Sequence, residues 1–246
     1  HIDTQKYRVV MIIPHNQMLA KACMDKIETR FRERMEIIKV FPFFENNMIA
    51  SLHPDLILTV VPLQHELSIK TVSISLFVNY EDESQIFQAL NQLDREKYHD
   101  QFCHIVKKLI GQETFFIKKD IASKEDAINY LCDNLIQLGY ATQEYKEDVF
   151  KREEMAGTAF VQGFAVPHAI TVQPLRSTIS VMVLKNPVKW GKYEIRLILL
   201  LSISEQDNQM LHTFFDWLSN VLIDYNQLMQ FIEADNYQEF MKLMTA

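Results

Sequence analysis

The sequence contains no apolar run approaching the roughly 20 residues that a membrane-spanning helix requires; its densest, Leu197–Ile203, is strand-sized. No basic-then-apolar leader opens the chain, so export is not expected. Net positive charge is lacking too, since 25 lysines and arginines stand against 32 acids, leaving −7. A nucleic-acid grip needs a basic face, so no direct nucleic-acid contact is expected of this stretch. The short run Arg30-Phe31-Arg32-Glu33-Arg34 is interrupted by acid and reads as a solvated helix end. The chain opens on His1 rather than methionine, so this balance describes the stretch alone. Cysteines number only three, Cys23, Cys103 and Cys132, widely spaced in helical patterns. That argues against a disulfide framework and for reduced, mostly buried thiols in a cytoplasmic protein. No Cys or His grouping has metal-ligand spacing, and neither a metal nor a cofactor is expected. Internal repeats and low-complexity tracts are missing as well.

What is present is an ordinary globular composition, 48% hydrophobic and 23% charged, over 246 residues, long enough for two medium domains. The fold class expected is α/β in both halves. In the first, strands are predicted at Tyr7–Ile13, Glu36–Val40, Asp55–Val61 and Val72–Phe77. Asn16 can cap a helix whose Leu19, Cys23, Ile27 and Phe31 recur every four residues, and a later helix carries Ile86, Phe87, Leu90 and Leu93. The nearly continuous apolar run Leu56–Val61 suits a parallel sheet with helices on both faces. Residues 94–112 read as a charged connector leading into a helix that ends near Gly111.

The second half opens with a signposted helix. Ser123 and Asp126 have capping-box spacing, Ile128, Leu131, Leu135 and Leu138 form its stripe, and Gly139 stops it. Strands are predicted at Ala159–Val166, Thr178–Leu184 and Arg196–Ser202. Two further helices carry Leu211, Phe215, Leu218 and Leu222, then Phe231, Ile232, Phe240 and Met244.

The segment Gly163-Phe164-Ala165-Val166-Pro167-His168-Ala169 carries the chemistry. An apolar run reads as a strand, Pro167 stops it, and an imidazole follows on a backbone stiffened by proline, displayed rather than buried. Imidazole has an unperturbed pKa of about 6.5, so its neutral form is a usable nucleophile near pH 7. On residues alone, a hydrogen-bonded structural histidine is the competing reading. Sixteen residues upstream stands Arg152, whose guanidinium can make bidentate contacts to phosphate or simply lie solvated near a helix end.

Residues from about Glu113 to Ala246 resemble the enzyme IIA domain of the mannitol/fructose class of the bacterial sugar phosphotransferase system. The likeness runs through Ile121–Ile128, Leu138-Gly139-Tyr140, Tyr145, Lys151-Arg152-Glu153 and the Ala165-Val166-Pro167-His168 signature, in order and spacing. The resemblance implies a mixed-sheet α/β domain flanked by helices, in which His168 is phosphorylated by the phosphocarrier HPr and Arg152 helps hold the phosphoryl group. The family has a second histidine at the start of a helix after a late strand, and His212 is the candidate. A gap-free alignment through Leu218 and Leu222 places Leu211 there and His212 one residue on, about 100° round the helix.

Residues 7–93 resemble the enzyme IIB domain of the same system, on strand order and on Asp55–Leu63. Active members carry a cysteine after the first strand and a glycine- and serine-bearing loop; here the place holds Ile13-Pro14-His15-Asn16-Gln17-Met18. Isoleucine cannot be phosphorylated and Pro14 removes a donor, so a non-catalytic domain is expected, with His15 as the alternative acceptor. The boundaries expected are 1–93, 94–112 and 113–246. A IIA domain joined to a IIB-like domain without its cysteine resembles the carboxy end of sugar-responsive transcriptional regulators of the BglG, LicR and MtlR group. That resemblance implies a phosphoryl-accepting regulatory module rather than an enzyme, with HPr and other phosphotransferase proteins as partners and a homodimer as another possibility. The alternatives are a transport component relaying phosphate from His168 to a separate IIB, and a dimerisation module in which His168 is silent.

Overall fold

A computed structural model describes residues 5–14, 17–63 and 67–246, which divide into two compact units, 1–98 and 99–246. His15 and the expected cap Asn16 lie outside the described residues.

The first unit contains strand β1 (Tyr7–Ile12), helix α1 (Gln17–Phe31), β2 (Met35–Phe41), α2 (Asn46–Leu52), β3 (Leu56–Thr59), β4 (Thr71–Ser73) and the first part of α3 (Tyr80–Leu109). All four strands are parallel, in the order β2-β1-β3-β4. Alternation along β1 and β3 feeds two cores. Val9, Met11, Leu56 and Leu58 pack with Cys23, Ile27 and Phe31 of α1 and Ile86 and Leu90 of α3. Val10, Ile12 and Ile57 pack on the opposite face with Phe41 and Ile49 of α2. Helices on both faces explain why β1 and β3 are apolar on both. Leu19, expected in the stripe of α1, is exposed near that helix's start.

Strand β4 is shorter than the Val72–Phe77 expected. The backbone N–H groups of Ser75 and Asn79 both donate to Asp82 Oδ2, and Val78 takes the left-handed φ of 48°, so the chain leaves the sheet to cap α3. The α2 segment Asn46–Leu52 was not foreseen, being too short for a periodic signal.

The second unit continues from the end of α3 through a 3-10 turn at Gln112–Thr114 to β5 (Phe115–Lys119), α4 (Lys124–Leu138), α5 (Gln143–Met155), β6 (Ala159–Phe160), β7 (Phe164–Ala165), β8 (Thr178–Trp190), β9 (Tyr193–Ser202), α6 (Asn208–Val221), α7 (Tyr225–Glu233) and α8 (Tyr237–Met244). The mixed sheet runs β5-β8-β9-β7-β6; β8 and β9 are antiparallel, while β5 on β8 and β7 on β9 are parallel. One face packs Val181, Leu197 and Leu199 against the end of α3 and α6–α8; the other packs Met182, Ile198 and Leu200 against α4 and α5. Hence the α/β class holds in both units.

Helix α4 is built as its sequence reads: Ser123 Oγ accepts from Asp126 N at 3.1 Å, and Gly139 ends the helix at φ 78°. Three expectations are corrected. The strand expected over Ala159–Val166 is a two-residue hairpin, β6 and β7, turned by Gly163 at φ 119°. The expected β8 extends to Trp190, and β9 begins at Tyr193. The last predicted helix is two, because Asn236 caps α8 by accepting from Glu239 N at 2.8 Å.

Candidate functional site

Strand β7 ends at Ala165, and the chain beyond it stays tied to β9: Leu201 N donates to Pro167 O at 3.0 Å, and His168 forms a one-residue parallel bridge with Leu201. His168 is half-buried, not freely displayed as Pro167 suggested. Its Nδ1 lies 2.9 Å from Val166 O. A carbonyl oxygen only accepts, so this bond requires the proton on Nδ1 and leaves the lone pair on Nε2. The ring therefore has one nucleophilic nitrogen.

His168 lines a cavity of about 380 Å³. Tyr145 of α5, the loop Ala169–Pro174, Leu201 of β9, Ile203, Glu205, and Asn208, Leu211 and Phe215 of α6 complete its wall. The first turn of α6 thus reaches the cavity that the imidazole lines, and the positive end of a helix favours an anion. Among the described residues lining the cavity there is no lysine or arginine.

The two other residues singled out in sequence are not gathered here. Arg152, in the last turn of α5, donates from Nη1 to Ala156 O at 2.7 Å and does not line the cavity. His212 is exposed and does not line the cavity, while Leu211 does. Cys23 and Cys132 are buried and Cys103 is half-buried, all free thiols. Burial pushes all three thiols up, Cys132 to about 12. Among the described residues, no three His, Cys, Asp or Glu side chains are grouped to hold a metal ion.

Four further residues frame the site: Tyr145 and Glu153, which the sequence offered only as points of family likeness, and Asp148 and Gln173, which it did not single out. Tyr145, on α5, hydrogen-bonds Ser202 Oγ at 2.6 Å, and burial holds its phenol above its ordinary value, so it stays protonated. Three residues on, Asp148 Oδ2 accepts from Ile170, Thr171 and Val172 N at 2.9, 2.8 and 2.8 Å. Burial opposes its ionisation, but these bonds together with Lys151 outweigh it and hold the carboxyl below its ordinary value. Glu153, also buried, accepts from Thr158 N, Thr158 Oγ1 and Trp190 Nε1 at 3.0, 2.7 and 2.6 Å, anchoring the chain that leads into β6. Gln173 Oε1 accepts from Glu205 N at 2.7 Å, tying the loop after His168 to the segment before α6. A signal was available: Tyr145, Asp148, Val149 and Glu153 share the buried face of α5, and acids on a core face are rarely there without partners.

Residues 108–246 match a protein family described as phosphoenolpyruvate-dependent sugar phosphotransferase system, EIIA 2. The chain is 22% identical over 232 residues to the probable licABCH operon regulator of Bacillus subtilis (strain 168), covering 94% of this chain and 35% of that protein. It is 25% identical over 167 residues to the transcriptional regulator ManR of the same organism, covering 67% of this chain and 25% of the regulator. It is 28% identical over 141 residues to the mannitol-specific phosphotransferase enzyme IIA component of Halalkalibacterium halodurans, covering 56% of this chain and 89% of that component. The chain therefore spans only about a third of the first relative's length.

Proposed function

This chain belongs to the EIIA 2 family of the phosphoenolpyruvate-dependent sugar phosphotransferase system, and on that footing we propose that it is a regulatory part of a sugar-responsive transcriptional regulator, switched by phosphorylation of His168. The observation that carries the chemistry is the Val166 bond to Nδ1, which leaves Nε2 basic on a ring lining the cavity. The likeness to two Bacillus subtilis regulators over more of the chain than the family match covers supports the regulatory half.

The donor is a phosphohistidine on a cytoplasmic carrier, HPr. The Nε2 lone pair attacks phosphorus in line, the donor's P–N bond breaks with its electron pair returning to the donor ring, and the Nε2–P bond forms. The proton on Nδ1 stays in place, and Val166 O stabilises the positive charge that attack draws onto the ring. The first turn of α6 and Asn208 face the incoming oxygens. The cation is assigned to Arg152 on the family resemblance: its guanidinium has five N–H donors of which the Ala156 contact uses one, and since it does not line the cavity it must reorient to reach the phosphoryl group. His212, exposed and off the cavity, is no longer needed as a second histidine. Phosphorylation adds about −1.5 to −2 charge to a pocket whose wall includes Leu211, Phe215 and Glu205, which changes what can pack there.

The first unit serves contacts rather than chemistry. Its parallel sheet supports a IIB-like reading, and Ile13-Pro14 follows β1 where a phosphoryl-accepting cysteine would stand.

Incubation with enzyme I, HPr and labelled phosphoenolpyruvate tests the acceptor. Wild type takes label, Arg152→Ala takes it more slowly and His168→Ala takes none; label retained by His168→Ala overturns the assignment. In cells, His168→Ala in the full-length protein shifts transcription of the controlled operon. Unchanged transcription, with label passing on to a separate IIB protein, would instead favour a transport component.

A further inference from the structure

Asp148 is a buried carboxylate whose side-chain hydrogen bonds go not to His168 but to the segment that follows it. Three consecutive N–H groups converge on one oxygen only where the backbone curls into a concave nest, the arrangement by which loops bind anions. Here the nest spans Ile170–Val172, begins two residues after His168, and lines the same cavity. Its occupant is the chain's own carboxylate, presented from α5 three residues after Tyr145, which is itself bonded to Ser202 at the end of β9.

The restraint on His168 is therefore two-sided. Upstream, Pro167 O is tied to Leu201 N and the ring to Val166 O. Downstream, the loop is drawn onto α5 by charge-assisted bonds, stronger than neutral ones. The upstream bonds thus hold the strand end and the ring, and the downstream ones hold the loop that leaves it.

We propose that Asp148 is a positioning residue for phosphoryl transfer at His168, an inference that rests on His168 being the acceptor. By filling the nest it holds residues 168–172 in one arrangement, so that Nε2 meets the donor phosphorus in line. It also closes to free phosphate a group of donors that would otherwise compete beside the acceptor.

Single-turnover transfer from phosphorylated HPr, followed over a range of donor concentrations, tests this on the full chain. Asp148→Asn keeps shape and an acceptor but loses the charge; Asp148→Glu keeps the charge and displaces it by a methylene. Misplacement of reacting groups by about 1 Å costs on the order of 100-fold. The limiting rate is expected to fall about 10- to 100-fold in Asp148→Asn and less in Asp148→Glu, with the half-saturating donor concentration unchanged. A purely structural role would lower the labelled fraction by unfolding part of the sample and leave the rate of the folded part alone. Wild-type limiting rates in both variants overturn the proposal. Wild-type protein that takes no label from HPr overturns the acceptor reading instead, before any variant is compared.

Discussion

Leu211 and His168 line one cavity, and His212, the next residue along α6, is exposed outside it. The cavity therefore has an apolar lining residue on α6 at the position to which a gap-free alignment assigns the second histidine that the resemblance implies. His212→Ala should be labelled by phosphorylated HPr at a rate within about twofold of wild type, since exposed positions away from a site contribute little. A tenfold slowing would put His212 back in the site.

If His168 is the acceptor proposed above, the Val166 bond decides which nitrogen takes the phosphoryl group. Nδ1 is occupied by its proton, so phosphorylation should give the Nε2 isomer alone. Nitrogen-15 NMR of the phosphorylated protein distinguishes the two isomers, and a signal from the Nδ1 isomer would refute the tautomer.

Glu153 should matter to stability rather than to transfer. It satisfies three donors, two on Thr158 and one on Trp190, at a buried position. Glu153→Ala leaves them unpaired, and a cost of about 2–4 kcal/mol is expected in urea unfolding followed by circular dichroism. A loss below about 0.5 kcal/mol would mean that water replaces the carboxylate there.

Cys132 gives a pH signature. Its thiol is pushed from 9.0 up to about 12, first by burial. The unfolded chain gives up this proton from about pH 9 while the folded chain keeps it, so the contribution is whole below pH 9 and is lost as pH climbs toward 12. The slope is about 1.4 kcal/mol per pH unit. The stability difference between wild type and Cys132→Ala should accordingly shrink by about 1 kcal/mol between pH 8.5 and 10. Parallel pH profiles for the two proteins would contradict this. Alkylation of native Cys132 at pH 8 should also be far slower than that of the unfolded chain.

What could be read from sequence was local. Ser123 and Gly139 announce the two ends of α4 because cap chemistry needs only neighbours, and the nearly continuous apolar run Leu56–Val61 announces helices on both faces of β3. His168 itself was legible from the proline that precedes it. What stayed hidden depends on partners distant along the chain. Asp148 meets residues 22 to 24 positions away, and Glu153 meets Trp190 at 37. The expected strand over Ala159–Val166 failed on one residue: Gly163, at φ 119°, folds the apolar run back on itself, and hydrophobicity does not record a reversal. The end of β4 depended instead on Asp82, whose carboxylate draws in the N–H groups of Ser75 and Asn79.

The contact that sets the state of His168 is made by a peptide oxygen, not by a side chain. Whichever amino acid stands at position 166, the oxygen remains, so drift there alters packing but cannot erase the ring's bias toward one tautomer. Relatives that have lost every neighbouring polar residue could still keep a competent imidazole, provided the strand end survives. Inheritance of reactivity in such a lineage would follow the path of the main chain more closely than the spelling of the residues around it.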